Sequence, residues 1–359
     1  MLRLLLLLQL QMVFFCGWAL LMSKENDTEL HIGTLIPSYT SDRYHLKSAV
    51  EFAAETIYKR GLLKGYKLVF HHKDTLGTPD KGVEALIALR NENVKICVIG
   101  PLKSEVAIYT ARLASVWGTL QVSYSASSPD LLSDTYPRFL SLMPTSYSLN
   151  AALIKFMEFF KWNRVALAQD ANYKKSVFPP TINALKQKLK HKGVKILTTE
   201  LVDVTKSDTI KSFVRTLKEK DARIVIALLE DKTLFTVMCE AYREIGIVWF
   251  NYYNRAEFSS KSRCNWTELA MITERLFVLD VVNTRNDSRK TISGLTSKEF
   301  KTKMKRERNG WEIRSALAFD TTWLLALAVN ASIKDAVRMQ HVNLSTNDHI
   351  GLSTKLRKE

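Results

Sequence analysis

At 359 residues, 46% hydrophobic and 25% charged, the chain has the make-up of a folded protein and is too long for one ordinary core, so two lobes are expected. Its formal net charge of +16 fits solvated helix faces, or contact with an acidic partner such as a proteoglycan, a lipid surface or nucleic acid. No nucleic-acid module accompanies the charge, which sets that last partner aside.

The opening "MLRLLLLLQLQMVFFCGWALLMS" (1–23) carries one early arginine, a long apolar run and then small residues. That order predicts a secretory signal peptide cut after Ala19 or Ser23, with an uncleaved signal anchor as the alternative. Sequons at Asn26, Asn265, Asn286, Asn330 and Asn343 are candidate glycosylation sites and agree with a secretory route to the cell surface or beyond. Only Cys97, Cys239 and Cys264 follow the apolar run, which excludes a disulfide-dense scaffold but permits one bridge and an odd thiol.

In chain order, strands are predicted at Leu30–Pro37, Tyr66–His71, Val94–Gly100 and Leu120–Ser125. Between them, Tyr44–Gly61, Asp80–Asn93 and Glu105–Gly118 have helical apolar spacing. The break near "SLMPTSYSLN" (Ser141–Asn150) separates this series from a second one and reads as a hinge. The second series runs strand Arg164–Ala168, helix Ser176–Lys192, strand Val194–Glu200, helix Ser207–Lys218, strand Arg223–Leu229 and helix Lys232–Ile245. Past Tyr253 the pattern weakens. A strand at Leu276–Val281, a basic helix from Ser297 and an apolar helix at Leu317–Asn330 are predicted. That last helix carries Asp320 and is short for a membrane span, so it is expected to be a buried core helix.

Strands alternating with helices imply an α/β fold of two doubly wound parallel-sheet lobes. Lobe 1 is expected from 28–145 and 283–340, lobe 2 from 146–282, and a poorly structured tail from 341–359. In such folds ligands sit outside the carboxyl ends of the strands, beside helix N-termini. Two hinged lobes of this kind can close on a small molecule.

Two loops in the first half carry suitable chemistry. In "GPLKSEVAIYTARL" (Gly100–Leu113), Ser104 is expected at the helix N-cap position, with free backbone N–H groups just beyond it. In "VSYSASSPDL" (Val122–Leu131), Ser125, Ser127 and Ser128 could offer hydroxyls and amides to an anion. A plain cap and a plain turn are the simpler readings of each. A nucleophile elbow lacks its G-x-S-x-G and a histidine in triad order. His71, His72 and Asp74 are a poor metal set, because neighbours on a strand point to opposite faces. No cofactor fingerprint is present, so neither an enzyme nor a cofactor is expected; an extracellular α/β enzyme is the remote alternative.

Read together and in order, "YKLVFHHKDTLGTPDKG", "SYSASSP", "NAALIKFMEFFKWNRVALAQD", "DARIVIALLEDKTLFTVMCEAYRE", "TISGLTSKEF" and "LAFDTTWLLALAVN" resemble the extracellular Venus-flytrap domain of metabotropic GABA (type B) receptors, class C G-protein-coupled receptors. The resemblance covers roughly Leu30 to Asn330 and implies the bilobed periplasmic-binding-protein-like fold. It implies that Ser104 and Ser127 match serines that bind the GABA carboxylate, and that Tyr39 matches a lobe-1 aromatic. Other family contacts are replaced: a histidine by Met143, a lobe-2 tyrosine by Glu230, a tryptophan near Tyr253 or Asn254, and the glutamate that holds the GABA ammonium by Arg314. A cation there would repel an ammonium. The resemblance also pairs Cys239 with Cys264, leaves Leu76 and Lys103 where a second family disulfide would stand, and leaves Cys97 as a buried thiol. It implies a small amino-acid-like ligand, GABA or another, and a dimer with a related subunit. A G protein is implied only if a membrane domain exists in a longer form. With no final glycine-rich segment after Asn343 and no seven-helix domain, a soluble splice form, a fragment or an incomplete gene model is expected, and a soluble decoy or dimerisation partner is the alternative role.

Overall fold

The computed structural model describes residues 27–341 apart from 39–41, 93, 95–96, 133, 174–175, 243, 253–263, 282–283, 308–309 and 311–312. The described residues fall into two compact units. One gathers the chain up to Ser125, Arg138–Leu142 and the chain from Thr284 on; the other gathers Ala126–Pro137 and Met143–Asn283.

The first unit is built in the order β1 (Thr28–Ile36), α1 (Asp42–Lys59), β2 (Tyr66–Asp74), α2 (Pro79–Asn91), β3 (Cys97–Ile99), α3 (Ser104–Val116), β4 (Leu120–Ser123) and β5 (Phe139–Ser141). The second holds α4 (Ser146–Phe159), β6 (Arg164–Asp170), α5 (Phe178–His191), β7 (Lys195–Val202), α6 (Ser207–Glu219), β8 (Ile224–Leu228), α7 (Asp231–Tyr242), β9 (Val248–Tyr252), α8 (Trp266–Thr273) and β10 (Leu276–Leu279). The chain then adds α9 (Ser297–Glu307) and α10 (Ile313–His341) to the first unit.

Each unit has one five-stranded sheet, ordered β2-β1-β3-β4-β5 and β7-β6-β8-β9-β10, and every strand pair is parallel. The two sheets therefore share one winding. In each, the chain steps outward once and then crosses back over its first strand to build the other side. That reversal defines a switch point between β1 and β3, and another between β6 and β8.

The strands form because they can be buried on both faces, as the centre of a parallel sheet requires. All five residues of β8, "IVIAL", are buried. Val225 and Ala227 join the core beside Phe213, Val214 and Leu217 of α6, whereas Ile224, Ile226 and Leu228 join the opposite core with Phe178 and Leu185 of α5. On α6 the buried Ile210, Phe213, Val214 and Leu217 repeat at helical spacing. Each such burial stabilises by about 1.5–3 kcal/mol.

In the first unit, Phe52 of α1 packs its ring 5.4 Å from Phe319 of α10 and 6.2 Å from Phe300 of α9. Trp323 of α10 donates its Nε1–H to Thr56 Oγ1 of α1 at 3.0 Å. The apolar stretch Arg314–Asp335 is long enough to cross a membrane by composition, but it is mostly buried. As expected, it is a core helix.

The sequence reading places most element centres correctly and misses β5, α4, β9 and α8. Within the stretch read as a hinge, Ser141 ends β5 and Ser146 opens α4.

Candidate functional site

The first switch point is carried by the turn from β3 into α3. Gly100 has φ +104, and a side chain there would put its Cβ 2.5 Å from the Leu35 carbonyl oxygen of β1. Only glycine lets the turn pass so close. Ser123 fixes the same turn from β4: its hydroxyl donates to the Pro101 carbonyl at 2.8 Å and accepts the Ser125 N–H at 3.1 Å. The buried Tyr124 donates its hydroxyl to Leu35 O at 3.3 Å.

Beyond this turn, the Ser104 expectation needs a one-residue correction. Lys103 is the N-cap, with extended backbone and with its carbonyl accepting the Ala107 N–H at 3.0 Å. Ser104 is the first helical residue and is buried. The preference of serine for caps misled the reading by one position, but Ser104 still lies in the first turn, where backbone N–H groups have no carbonyl partner within the helix.

Two of the serines in "SYSASSPDL" have structural work. Besides Ser123, Ser128 donates its hydroxyl to the Ser176 carbonyl at 2.6 Å, and its oxygen accepts the Asp130 N–H at 3.4 Å. Ser127 is buried, and its carbonyl accepts the Ser146 N–H at 3.5 Å at the start of α4. Ser125 is half-buried.

The second switch point is carboxylate chemistry. Asp170, buried at the end of β6, accepts the Asn172 and Tyr173 N–H groups on Oδ1 at 2.9 and 3.0 Å. Its Oδ2 accepts the Glu230 N–H at 3.2 Å, which joins the end of β6 to the end of β8. Asn251 of β9 holds the preceding residue, accepting Leu229 N–H and donating to Leu229 O, both at 3.1 Å. The exposed Glu230 then opens α7, its carbonyl accepting the Leu234 N–H at 2.8 Å. Partial desolvation, followed by the charges of Asp170 and Asp231, holds the Glu230 carboxyl above its ordinary range. Asp203 adds a further carboxylate just past β7. Carboxylates thus gather at the carboxyl edge of this sheet, with Lys206 4.0 Å from Asp203 and Lys232 acting on Glu230.

Among the predicted site residues, Ser104, Ser125 and Arg314 belong to the first unit, and Ser127 and Glu230 to the second. Arg314 is half-buried in the first turn of α10. Tyr39 and Tyr253 lie outside the described residues, as do Asn26 and Asn343. Asn265 and Asn286 are exposed; Asn330 is half-buried within α10, and the serine of its sequon, Ser332, is fully buried with its hydroxyl on Ala328 O at 2.9 Å. Asp170 was missed. Its signal is an aspartate directly after an apolar run and before small polar residues, the pattern of a side chain turning back on its own backbone.

Cys239 of α7 is disulfide-bonded to Cys264 just before α8, and Cys97 is a free, buried thiol whose pKa burial pushes up. His71 and His72 diverge as strand neighbours should: His71 Nε2 is 2.9 Å from His31 Nδ1 and its Nδ1 is 3.1 Å from Glu92, whereas His72 Nδ1 is 2.6 Å from Thr34 Oγ1.

Two doubly wound parallel sheets define a periplasmic-binding-protein-like fold. An ABC transporter substrate-binding protein from Desulfitobacterium hafniense has the same fold, with a TM-score of 0.66 at 19% identity over 87% of this chain and 89% of that one. The family model described as "Receptor family ligand binding region" matches residues 45–357. The chain therefore belongs to the receptor ligand-binding-region family, in its class C, Venus-flytrap form. It is 28% identical over 319 residues to gamma-aminobutyric acid type B receptor subunit 1 of Mus musculus, covering 82% of this chain and 32% of that protein. It is 26% identical over 317 residues to subunit 2 of Caenorhabditis elegans, covering 82% and 36%. The chain thus spans about a third of the length of these relatives.

Proposed function

We propose that this chain is the ligand-binding ectodomain of a type B GABA-receptor-like class C receptor, and that it takes a small zwitterion other than GABA. The carboxylate of the ligand meets Ser104 and Ser127. Its ammonium meets the carboxylates of Glu230 and Asp170 at the second switch point. The observation that carries this reading is the Glu230 N–H to Asp170 hydrogen bond at 3.2 Å, which gathers two carboxylates at one switch point. Arg314 has the wrong sign for an ammonium at the corresponding family position. The same reading assigns the chain to the secretory pathway, pairs it with a related subunit, and couples it to a G protein only through a longer, membrane-spanning form.

Calorimetry of the purified chain against GABA and a panel of α- and ω-amino acids tests this. A binder is expected that loses roughly tenfold or more in affinity with Ser104→Ala or Glu230→Gln, since each removes a hydrogen bond to a charged group. Its affinity should rise with pH as the Glu230 carboxyl ionises, and Glu230→Gln should remove that rise. Micromolar or tighter GABA binding, or GABA binding weakened by Arg314→Glu, overturns the assignment. The charge reversal at Arg314 also supports a second reading, a partner subunit or soluble decoy that binds no agonist. Silence across the whole panel, with stable association to a related ectodomain, selects it. Enzyme activity in a broad screen that Ser104→Ala or Ser127→Ala abolishes would instead select the extracellular α/β enzyme.

A further inference from the structure

The basic run "KQKLKHKG" has no part in the ligand site. It forms the carboxyl-terminal half of α5, far along the chain from the switch-point loops of its sheet. Because α4 and α5 run opposite to the strands, both end at the amino edge of the sheet, where β6 starts at Arg164 and β7 at Lys195. Those two residues are partners in register, so the edge continues the positive charge.

Between α4 and α5 lies an open groove of about 470 Å³. Ala151 and Ile154 form its apolar floor, and Lys155, Lys188, His191 and Lys192 its rim. Lys188 and His191 are three apart on one face of α5, and Lys192 follows as its C-cap. Glu158, the acidic residue of the lining, is ion-paired to Lys192 at 2.8 Å. Lys155, Lys188 and His191 form no ion pair among the described residues. Phe159 follows on α4, one turn beyond Lys155, with 79% of its surface exposed.

Basic residues near a helix C-terminus complement its dipole, which explains a cation or two there. It does not explain cations on both helices facing one groove, nor an exposed aromatic beside them. We propose that this groove binds a sulfated polysaccharide chain. Sulfates repeating along such a chain match rim cations on two walls, and a pyranose offers an apolar C–H face to Phe159. A single-stranded nucleic acid would be held by successive bases stacking within the groove, and the lining offers one ring for that, the His191 imidazole.

Heparin is the probe. The purified chain is expected to bind immobilised heparin at physiological salt. The triple variant Lys155→Ala, Lys188→Ala, Lys192→Ala should bind roughly tenfold more weakly and elute at lower salt, the sum of three exposed charge pairs. A control with the same charge change, Lys298→Ala, Lys301→Ala, Lys305→Ala on α9, should elute close to the parent. Thermal unfolding of both variants verifies that each is folded. Equal losses in the two variants would reduce the effect to net charge and overturn the proposal. So would no binding by the parent. Sedimentation of the parent with phosphatidylserine vesicles that heparin does not compete for would assign the surface to a membrane instead, and overturn it too.

Discussion

Asp170→Asn is the most informative single substitution, because Asp170 joins two strands through one side chain. The aspartate accepts three backbone N–H groups, those of Asn172, Tyr173 and Glu230. Asparagine keeps one oxygen, which can retain the nearby Asn172 and Tyr173 donors. Its amide nitrogen then faces the Glu230 N–H, donor against donor. Leaving that donor unpaired costs about 1–3 kcal/mol, and the two retained bonds lose their charge assistance at up to about 1 kcal/mol each. Relief of repulsion on the exposed Glu230 carboxyl gives little back. The net expectation is a loss of about 2–3 kcal/mol, or roughly 30- to 150-fold in the local opening equilibrium. Native-state amide hydrogen exchange reads this directly. The Glu230 amide should lose protection in Asp170→Asn, with Asn172 and Tyr173 changing less, and all three should lose it in Asp170→Ala. If the Glu230 amide exchanges within about threefold of the parent rate in both variants, Asp170 does not join β6 to β8, and the carboxylate pair loses its anchor.

Other outcomes are expected. His72 is held down at about 4 by burial first, then by the charges of Lys47 and His71. Its neutral form is therefore the folded one: the contribution is complete above about pH 6.5 and is lost as pH falls through about 4. That amounts to about 3 kcal/mol, and His72→Gln should flatten the acid limb of a urea-midpoint profile. Gly100→Ala should cost at least about 2 kcal/mol, because it combines positive φ with a Cβ 2.5 Å from Leu35 O; a melting temperature unchanged from the parent refutes this. Glycopeptide mapping of chain made in a secretory host should find glycans on Asn265 and Asn286 and none on Asn330, whose sequon serine is buried in a helix. Serine substitution of Cys239 and Cys264 together should remove about 3 kcal/mol, as expected for a loop of 25 residues; an unfolding midpoint equal to the parent's would contradict it.

Most elements were legible because their patterns are one-dimensional. "DARIVIALLED" shows a buried strand by its unbroken apolar run, and α6 shows its stripe by spacing. β5 is three residues long and β9 sits in a run rich in aromatics and asparagine, so neither offers a period long enough to read. Strand order was not legible at all, since the crossing from β2 back over β1 to β3 is a property of the assembled sheet. That crossing is what gives Ser104 and Asp170 their meaning. Ser104 was found because serine near a helix start has a known preference, and the same preference displaced it by one position. Asp170 was missed because its three donors come from a turn and from a residue 60 positions away. Ser123 and Ser128 shared the signal of Ser127 while bracing the loop, so hydroxyl content alone could not tell braces from candidate ligand contacts.

The hydrogen bond from Trp323 to Thr56 spans 267 residues, and it sets the order in which the two units can be completed. The second unit is nearly one run of chain, so its sheet can close as soon as β10 is made. The first cannot: α1 waits for α9 and α10 to cover Phe52 and Thr56. At roughly 5–20 residues per second of synthesis, that apolar face stays open for on the order of 10–50 s. During this time the bare side of α1, with Phe52, is exposed apolar surface on the nascent chain. Chaperone dependence should therefore concentrate on the half of the protein made first, although that half is finished last.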